Sequence, residues 1–209
     1  MPLFYQQIIN QNTRLAIWHI TESLDFFLKR VPAQQTITHK HKQLQHAAGR
    51  YLLPFLFDDF PHEEILIANT RKPYLPEEQY HFSISHCGNY VAAIVSRNER
   101  VGIDIEIPQE KIVQISTKFM HPDEFLFVRY GGDLIATTTL LWSAKEAMYK
   151  WWGLGKIDFK EMLRIESTDS ISQTLHANFQ NEEMKQPLLL YYHFLQQLCL
   201  VWLNTPALQ

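Results

Sequence analysis

Val101-Gly102-Ile103-Asp104-Ile105-Glu106-Ile107 alternates without a fault. On a strand, Val101, Ile103, Ile105 and Ile107 face one way, and Asp104 and Glu106 the other. The apolar side is β-branched at every position, which marks a core strand. The opposite side holds two carboxylates one side-chain repeat apart, and these repel when both are ionised. Such a pair is tolerated where it is solvated, where one member keeps a proton, or where a cation sits between them. The rest of the chain favours the cation.

Upstream, Phe82 and Ile84 alternate with Ser83 and Ser85 over His81–His86, Cys87-Gly88-Asn89 turns the chain, and Tyr90–Val95 is a second strand. A polar turn over Ser96–Arg100 leads into the acidic strand, so the three read as a meander. That reading sets Ser85 and His86 at a strand end, one hairpin from Asp104 and Glu106. Earlier, Ile8–Ile20 reads as a first strand region. Thr21–Val31 reads as a helix capped by Thr21 or Ser23 and stopped by Pro32. Leu44, Ala47, Ala48, Tyr51, Leu52 and Phe55 mark a second helix, which Pro54 should kink or end. The basic run His39-Lys40-His41-Lys42 before it reads most simply as a solvated helix start. Asp58–Pro61 is a turn, and Arg71-Lys72-Pro73-Tyr74-Leu75-Pro76 an extended loop.

Downstream the pattern becomes helical. Pro122 suits the first position of a helix carrying Phe125, Leu126 and Val128, which Gly131-Gly132 ends. A longer helix is expected over Thr137–Trp152, with Leu140, Leu141, Ala144, Ala147, Met148 and Trp151 on one stripe and Gly153 and Gly155 as its stop. Strands follow over Met162–Glu166, Thr174–Phe179, Leu188–Leu195 and Leu198–Leu203, the last two flanking Gln196-Gln197. The class is α+β with antiparallel strands.

Composition narrows the function. The 209 residues are 46% hydrophobic and 13% aromatic, which excludes a disordered chain. A net charge of −3 makes no case for nucleic-acid binding by bulk electrostatics. The two cysteines, Cys87 and Cys199, are too few for a disulfide framework and suit a reducing cytoplasm. No apolar run approaches the roughly 20 residues that span a bilayer. Met1–Gln7 lacks a basic segment followed by an apolar one, so no signal peptide is expected. The expected product is cytoplasmic and not membrane-bound.

The long helix carries a second set, Trp142, Lys145, Glu146, Tyr149 and Lys150. Glu146 and Lys150 are four apart and share a face, which alone is more often a surface ion pair. Beside Asp104 and Glu106, Glu146 completes three carboxylates, a hard oxygen set suited to Mg²⁺, which takes few protein ligands and keeps substrate phosphates and water. Zinc is disfavoured, because the cysteines are isolated and the histidines lack ligand spacing. His86 alone is ambiguous, and Lys72 alone reads as solvated. Both gain weight only within a set that clamps phosphates.

In this order and at these distances, HFSISHCG (81–88), VGIDIE (101–106) and WSAKEAMYK (142–150) resemble the three motifs of the 4′-phosphopantetheinyl transferase superfamily. The chain length and the RKPYL loop (71–75) are similar to its larger, monomeric, surfactin-synthetase-activating branch, and HAAGRYLL (46–53) to its N-terminal helix. The resemblance is densest over residues 71–156. It implies two similar α+β halves related by a pseudo-twofold axis, here 1–100 with coenzyme A contacts and 101–209 with the metal and catalytic helix. It also implies transfer of 4′-phosphopantetheine from coenzyme A to a serine of an apo acyl or peptidyl carrier protein, with Mg²⁺.

Carried over by motif, Asp104, Glu106 and Glu146 match metal ligands. Glu146 also matches the group that deprotonates the serine, and Lys150 the lysine that stabilises or protonates departing 3′,5′-ADP. Ser85 and His86 match contacts of the coenzyme A phosphates, and Lys72 a lysine near the nucleotide. Lys145 and Arg50 join the coenzyme A contacts, and His39, Lys40, His41 and Lys42 are further candidates for the 3′-phosphate. Two positions depart from the pattern: Ser83 stands where asparagine is usual, and Arg71 where glycine commonly precedes Lys-Pro. The rival readings are a catalytically silent adaptor that binds coenzyme A or a carrier, and a short trimeric holo-acyl-carrier-protein synthase. The 100 residues before VGIDIE argue against the latter. The carrier's identity is open, and Lys111–Gly132 is the suspected docking segment.

Overall fold

Tyr90–Ser96 is buried at every position, and strands pair with both of its edges. In the computed structural model, which describes residues 2–31 and 37–206, the first strands are β1 (Leu3–Asn10) and β2 (Thr13–His19). The region expected as one strand is therefore a hairpin. Its turn is closed by the Asn12 amide donating to Asn10 Oδ1 at 2.8 Å. Helices α1 (Leu24–Leu28) and α2 (Lys40–Leu56) follow. Pro32, expected to stop the first, lies outside the described residues. Pro54 removes the amide that would donate to the carbonyl four residues back, yet α2 runs on to Leu56 before it stops.

The Arg71–Pro76 segment is not wholly loop: β3 (Leu66–Ile67) pairs with β4 (Pro73–Tyr74). Arg71, in the turn between them, takes φ 67°. Strands β5 (His81–Cys87) and β6 (Tyr90–Ser96) form the expected hairpin, with Cys87 opposite Tyr90 and Gly88 at φ 55° in the loop. The sheet order is β1-β2-β6-β5. Helix α2 packs Ala48, Leu52 and Leu53 into a core with Trp18, Phe82 and Val91.

The meander stops there. Strand β7 (Glu99–Glu106) does not pair with β6, whose second edge is already taken by β2. It belongs instead to a sheet ordered β7-β11-β10-β9-β8, made with β8 (Leu163–Asp169), β9 (Thr174–Gln180), β10 (Lys185–Leu195) and β11 (Leu198–Pro206). Ser85 and His86 are thus on a different sheet from Asp104 and Glu106. The four C-terminal strands pair antiparallel in sequence order, through a tight turn at Gln196, φ 53°.

Between β7 and β8 lie the short helices α3 (Glu110–Gln114), α4 (Ser116–Phe119) and α5 (Phe125–Tyr130), then α6 (Leu134–Trp152). Pro122 opens a 3₁₀ turn, Pro122–Glu124, just before α5. Asp133 caps α6 by accepting from the amides of Ile135 and Ala136, and Gly153 ends it at φ 73°. The apolar stripe expected on this helix is buried throughout.

Two compact units result: one reaching Val101 and including Pro206, the other Gly102–Thr205. The fold is α+β with antiparallel sheets. Among the described residues no helix is long and apolar enough to cross a membrane.

Candidate active site

The second unit brings the acidic strand against α6, and Gly102 sets how close they come. A Cβ built on Gly102 would lie 2.1 Å from the Ala147 carbonyl oxygen and 2.9 Å from Trp151 Cβ. Only a residue without a side chain admits the helix backbone there. Strand alternation puts Asp104 and Glu106 on the face of Gly102, so both look toward the helix. Asp104 is buried, and its Oδ1 accepts from Lys150 Nζ at 2.7 Å.

Glu146 lies one turn before Lys150 and completes the group. Burial pushes its carboxyl up to about 7, the charges of Asp104 and Glu106 push the same way, and Lys150 opposes them. Four of the five site side chains named from sequence in this unit, Asp104, Glu106, Glu146 and Lys150, therefore act on one another. Cys199 sits near the same acids. Burial first, then Asp104, holds its thiol well above the ordinary range, which leaves it protonated and unreactive.

Lys145 is placed differently. Its Nζ is 2.7 Å from Glu124 Oε2 and donates to the Phe159 carbonyl at 2.8 Å, with both charged side chains 0% exposed. Burial pulls Lys145 down and the Glu124 carboxylate opposes this. Trp142 and Tyr149 flank it, packing on Phe159. The helix set that looked like one polar group is split between two faces.

In the first unit, Gly49 plays a similar part for α2. A Cβ there would meet Ile84 Cγ2 at 2.8 Å and Val91 Cγ2 at 3.2 Å, so the helix lies directly on β5 and β6. That packing sets His46 and Arg50 beside His86. Burial lowers His46 to about 4, with Arg50 and His86 adding to the effect. The hairpin loop is tied to the same helix, since Gln45 Nε2 donates to the Gly88 carbonyl at 2.8 Å and His41 Nε2 lies 3.2 Å from it. Ser85 is buried and His86 exposed, while His39–Lys42 is exposed, as a solvated helix start should be. Lys72 joins a second basic group: burial and then Arg100 lower it to about 8, and burial lowers His81, with Arg100 and Lys72 adding to the effect and Glu78 opposing it. Sequence reasoning missed His46, His81 and Arg100. The signal available for His46 was its place one helical turn before Arg50.

These observations can be set beside known proteins. Residues 100–199 match the 4′-phosphopantetheinyl transferase superfamily. The matched span includes both VGIDIE and WSAKEAMYK. The chain is 32% identical over 110 residues to the 4′-phosphopantetheinyl transferase gsp of Aneurinibacillus migulanus, covering 51% of this chain and 45% of that protein. It is 30% identical over 122 residues to enterobactin synthase component D of Escherichia coli O157:H7, covering 56% and 58%. It is 33% identical over 87 residues to the 4′-phosphopantetheinyl transferase of Bacillus subtilis, covering 40% and 38%. The chain spans about half the length of the curated relatives it matches.

Among the described residues, no group of three or more His, Cys, Asp or Glu side chains is already gathered as a metal cage. The donor chemistry nonetheless fits Mg²⁺. All three candidates are carboxylates, and Mg²⁺ is ordinarily held by one or two of these plus phosphate oxygens and water rather than by an all-protein cage. Three acids that act on one another, Asp104 buried and Glu106 and Glu146 half-buried, are what a divalent cation would relieve.

Proposed function

We propose that this chain is a 4′-phosphopantetheinyl transferase of the larger, monomeric, surfactin-synthetase-activating type. It moves the 4′-phosphopantetheine group from coenzyme A to a serine of an apo acyl or peptidyl carrier protein. The observation that carries this reading is the charge group Asp104–Lys150–Glu146–Glu106 inside the matched domain.

The bond that forms joins the carrier serine Oγ to the β-phosphorus of coenzyme A. The bond that breaks joins that phosphorus to the oxygen that leaves with 3′,5′-ADP. Such a displacement asks for in-line placement and charge neutralisation more than covalent help. Asp104, Glu106 and Glu146 would hold Mg²⁺, which when bound withdraws charge from the pyrophosphate. Glu146 takes the serine proton, directly or through a water. Lys150, held in place by Asp104, faces the departing phosphate and neutralises or protonates it. Arg50, Ser85 and His86 supply contacts to coenzyme A phosphates from a cationic group, and Lys72 a contact near the nucleotide. Segment 111–132 docks the carrier.

Intact-protein mass spectrometry of apo carriers, incubated with coenzyme A, Mg²⁺ and this protein, tests the reading. A phosphopantetheine-sized gain that disappears with Glu146→Gln and with EDTA supports it. Full activity in Glu146→Gln refutes the role of Glu146. Coenzyme A binding without any mass gain on any carrier replaces the transferase with a silent adaptor.

A further inference from the structure

Glu124 closes the 3₁₀ turn before α5, and its carboxylate has no exposed surface. Its Oε2 accepts from the His121 amide at 2.7 Å, as part of a capping box, and takes the Lys145 ammonium at 2.7 Å. Its Oε1 accepts from the Ile165 amide at 2.8 Å. Lys145 adds the Phe159 carbonyl at 2.8 Å. One ion pair thus joins four segments: the capping turn, α6, the chain before β8, and β8 itself.

The aromatic residues on the same helix face repeat the link. Trp142 packs edge-on against Phe119 at 4.9 Å and stacks with Phe159 at 5.8 Å, and Tyr149 meets Phe159 at 5.6 Å. Residues 142, 145 and 149 are three and four apart, so they form one line along α6. Glu146 follows Lys145 by about 100° of helix rotation. A fully buried pair tolerates little change of geometry, because a displaced charge is out of reach of bulk solvent.

We propose that Lys145 and Glu124 form a positioning clamp that fixes the rotation of α6, and with it the aim of Glu146 and Lys150, and that Lys145 makes no contact with the nucleotide. The clamp rests on the transferase reading for its kinetic consequence only.

The test uses the full chain as Lys145→Met/Glu124→Leu, which replaces both charges by apolar groups and so avoids leaving one of them buried alone. Glu124→Gln, which keeps the shape and part of the hydrogen bonding, carries the same measurements if the double variant does not fold. Coenzyme A affinity by calorimetry should stay within about twofold of wild type, while kcat for transfer falls about tenfold or more at unchanged KM for coenzyme A. The Ile165 amide should exchange its hydrogen faster. A matching loss of coenzyme A affinity would make Lys145 a ligand. Wild-type kcat in a folded variant would overturn the clamp, leaving the pair a purely structural one where the melting temperature alone changes. Should wild type itself transfer nothing, the functional reading fails, and the clamp is still decided by Ile165: unchanged protection overturns it.

Discussion

Lys150 Nζ stands 2.7 Å from Asp104 Oδ1, joining α6 to the acidic strand. Only 24% of the lysine side chain and 4% of the aspartate side chain are exposed. Lys150→Met should therefore lower stability by about 1–3 kcal/mol, since the removed ammonium was compensating a buried carboxylate. On the proposed mechanism it should also cut transfer by about a hundredfold or more, by removing a positive charge from the departing phosphate. Adding Asp104→Asn should cost less stability in the Lys150→Met background than in wild type. Urea titrations of the four proteins measure this coupling, and strictly additive effects would show that the pair is not energetically linked.

Gly102→Ala tests the close approach of strand and helix. A methyl group at 2.1 Å from a backbone oxygen cannot be accommodated by a side-chain rotation. The strand or α6 must shift, at a cost of about 2 kcal/mol or more. Transfer should fall further than stability alone explains, because Ala147 adjoins Glu146. A melting temperature and a transfer rate both equal to wild type would contradict the geometry.

Much of this arrangement was legible from residue order, and the exceptions have physical causes. The period-two alternation of VGIDIE and the apolar stripe of α6 depend on local geometry alone, so both elements were readable. The departure of β7 from the meander was not, because it depends on β2 having already taken the free edge of β6, a pairing made from far along the chain. Asn10-Gln11-Asn12 was overlooked as a turn inside an apolar run. Lys145 stands beside Glu146 in the motif, yet neighbouring helix positions point about 100° apart. Linear proximity could not show that one meets Asp104's neighbours and the other Glu124. The meaning of Gly102 required knowing what lies 45 residues later.

Arg71 offers a stabilising change. Its φ of 67° lies in the left-handed region, where a side chain costs about 1 kcal/mol or more and glycine pays no such strain. Arg71→Gly should raise stability by about 0.5 kcal/mol, the strain relief being partly offset by glycine's greater freedom in the unfolded chain. A higher urea midpoint with an unchanged slope is the expected result. A lower midpoint would mean that the Arg71 side chain contributes more than its backbone costs.

His46 gives the fold a dependence on acidity. Its imidazole is held near 4 instead of the ordinary 6.5, by burial first and then by Arg50 and His86. As pH falls through about 6.5, the unfolded chain takes up this proton and the folded chain does not, so protonation favours unfolding. Stability contributed by the neutral form is complete above about 6.5, falls between there and about 4, and loses nothing more below that. Because the ring is only partly buried, the effect should be about 1 kcal/mol and not the full value that the shift would imply. Urea midpoints at pH 7 and pH 5 should differ more for wild type than for His46→Gln. A polyanion bound by Arg50 and His86 would shield the ring and shrink that difference. Equal differences in the two proteins would show that His46 titrates as freely folded as unfolded.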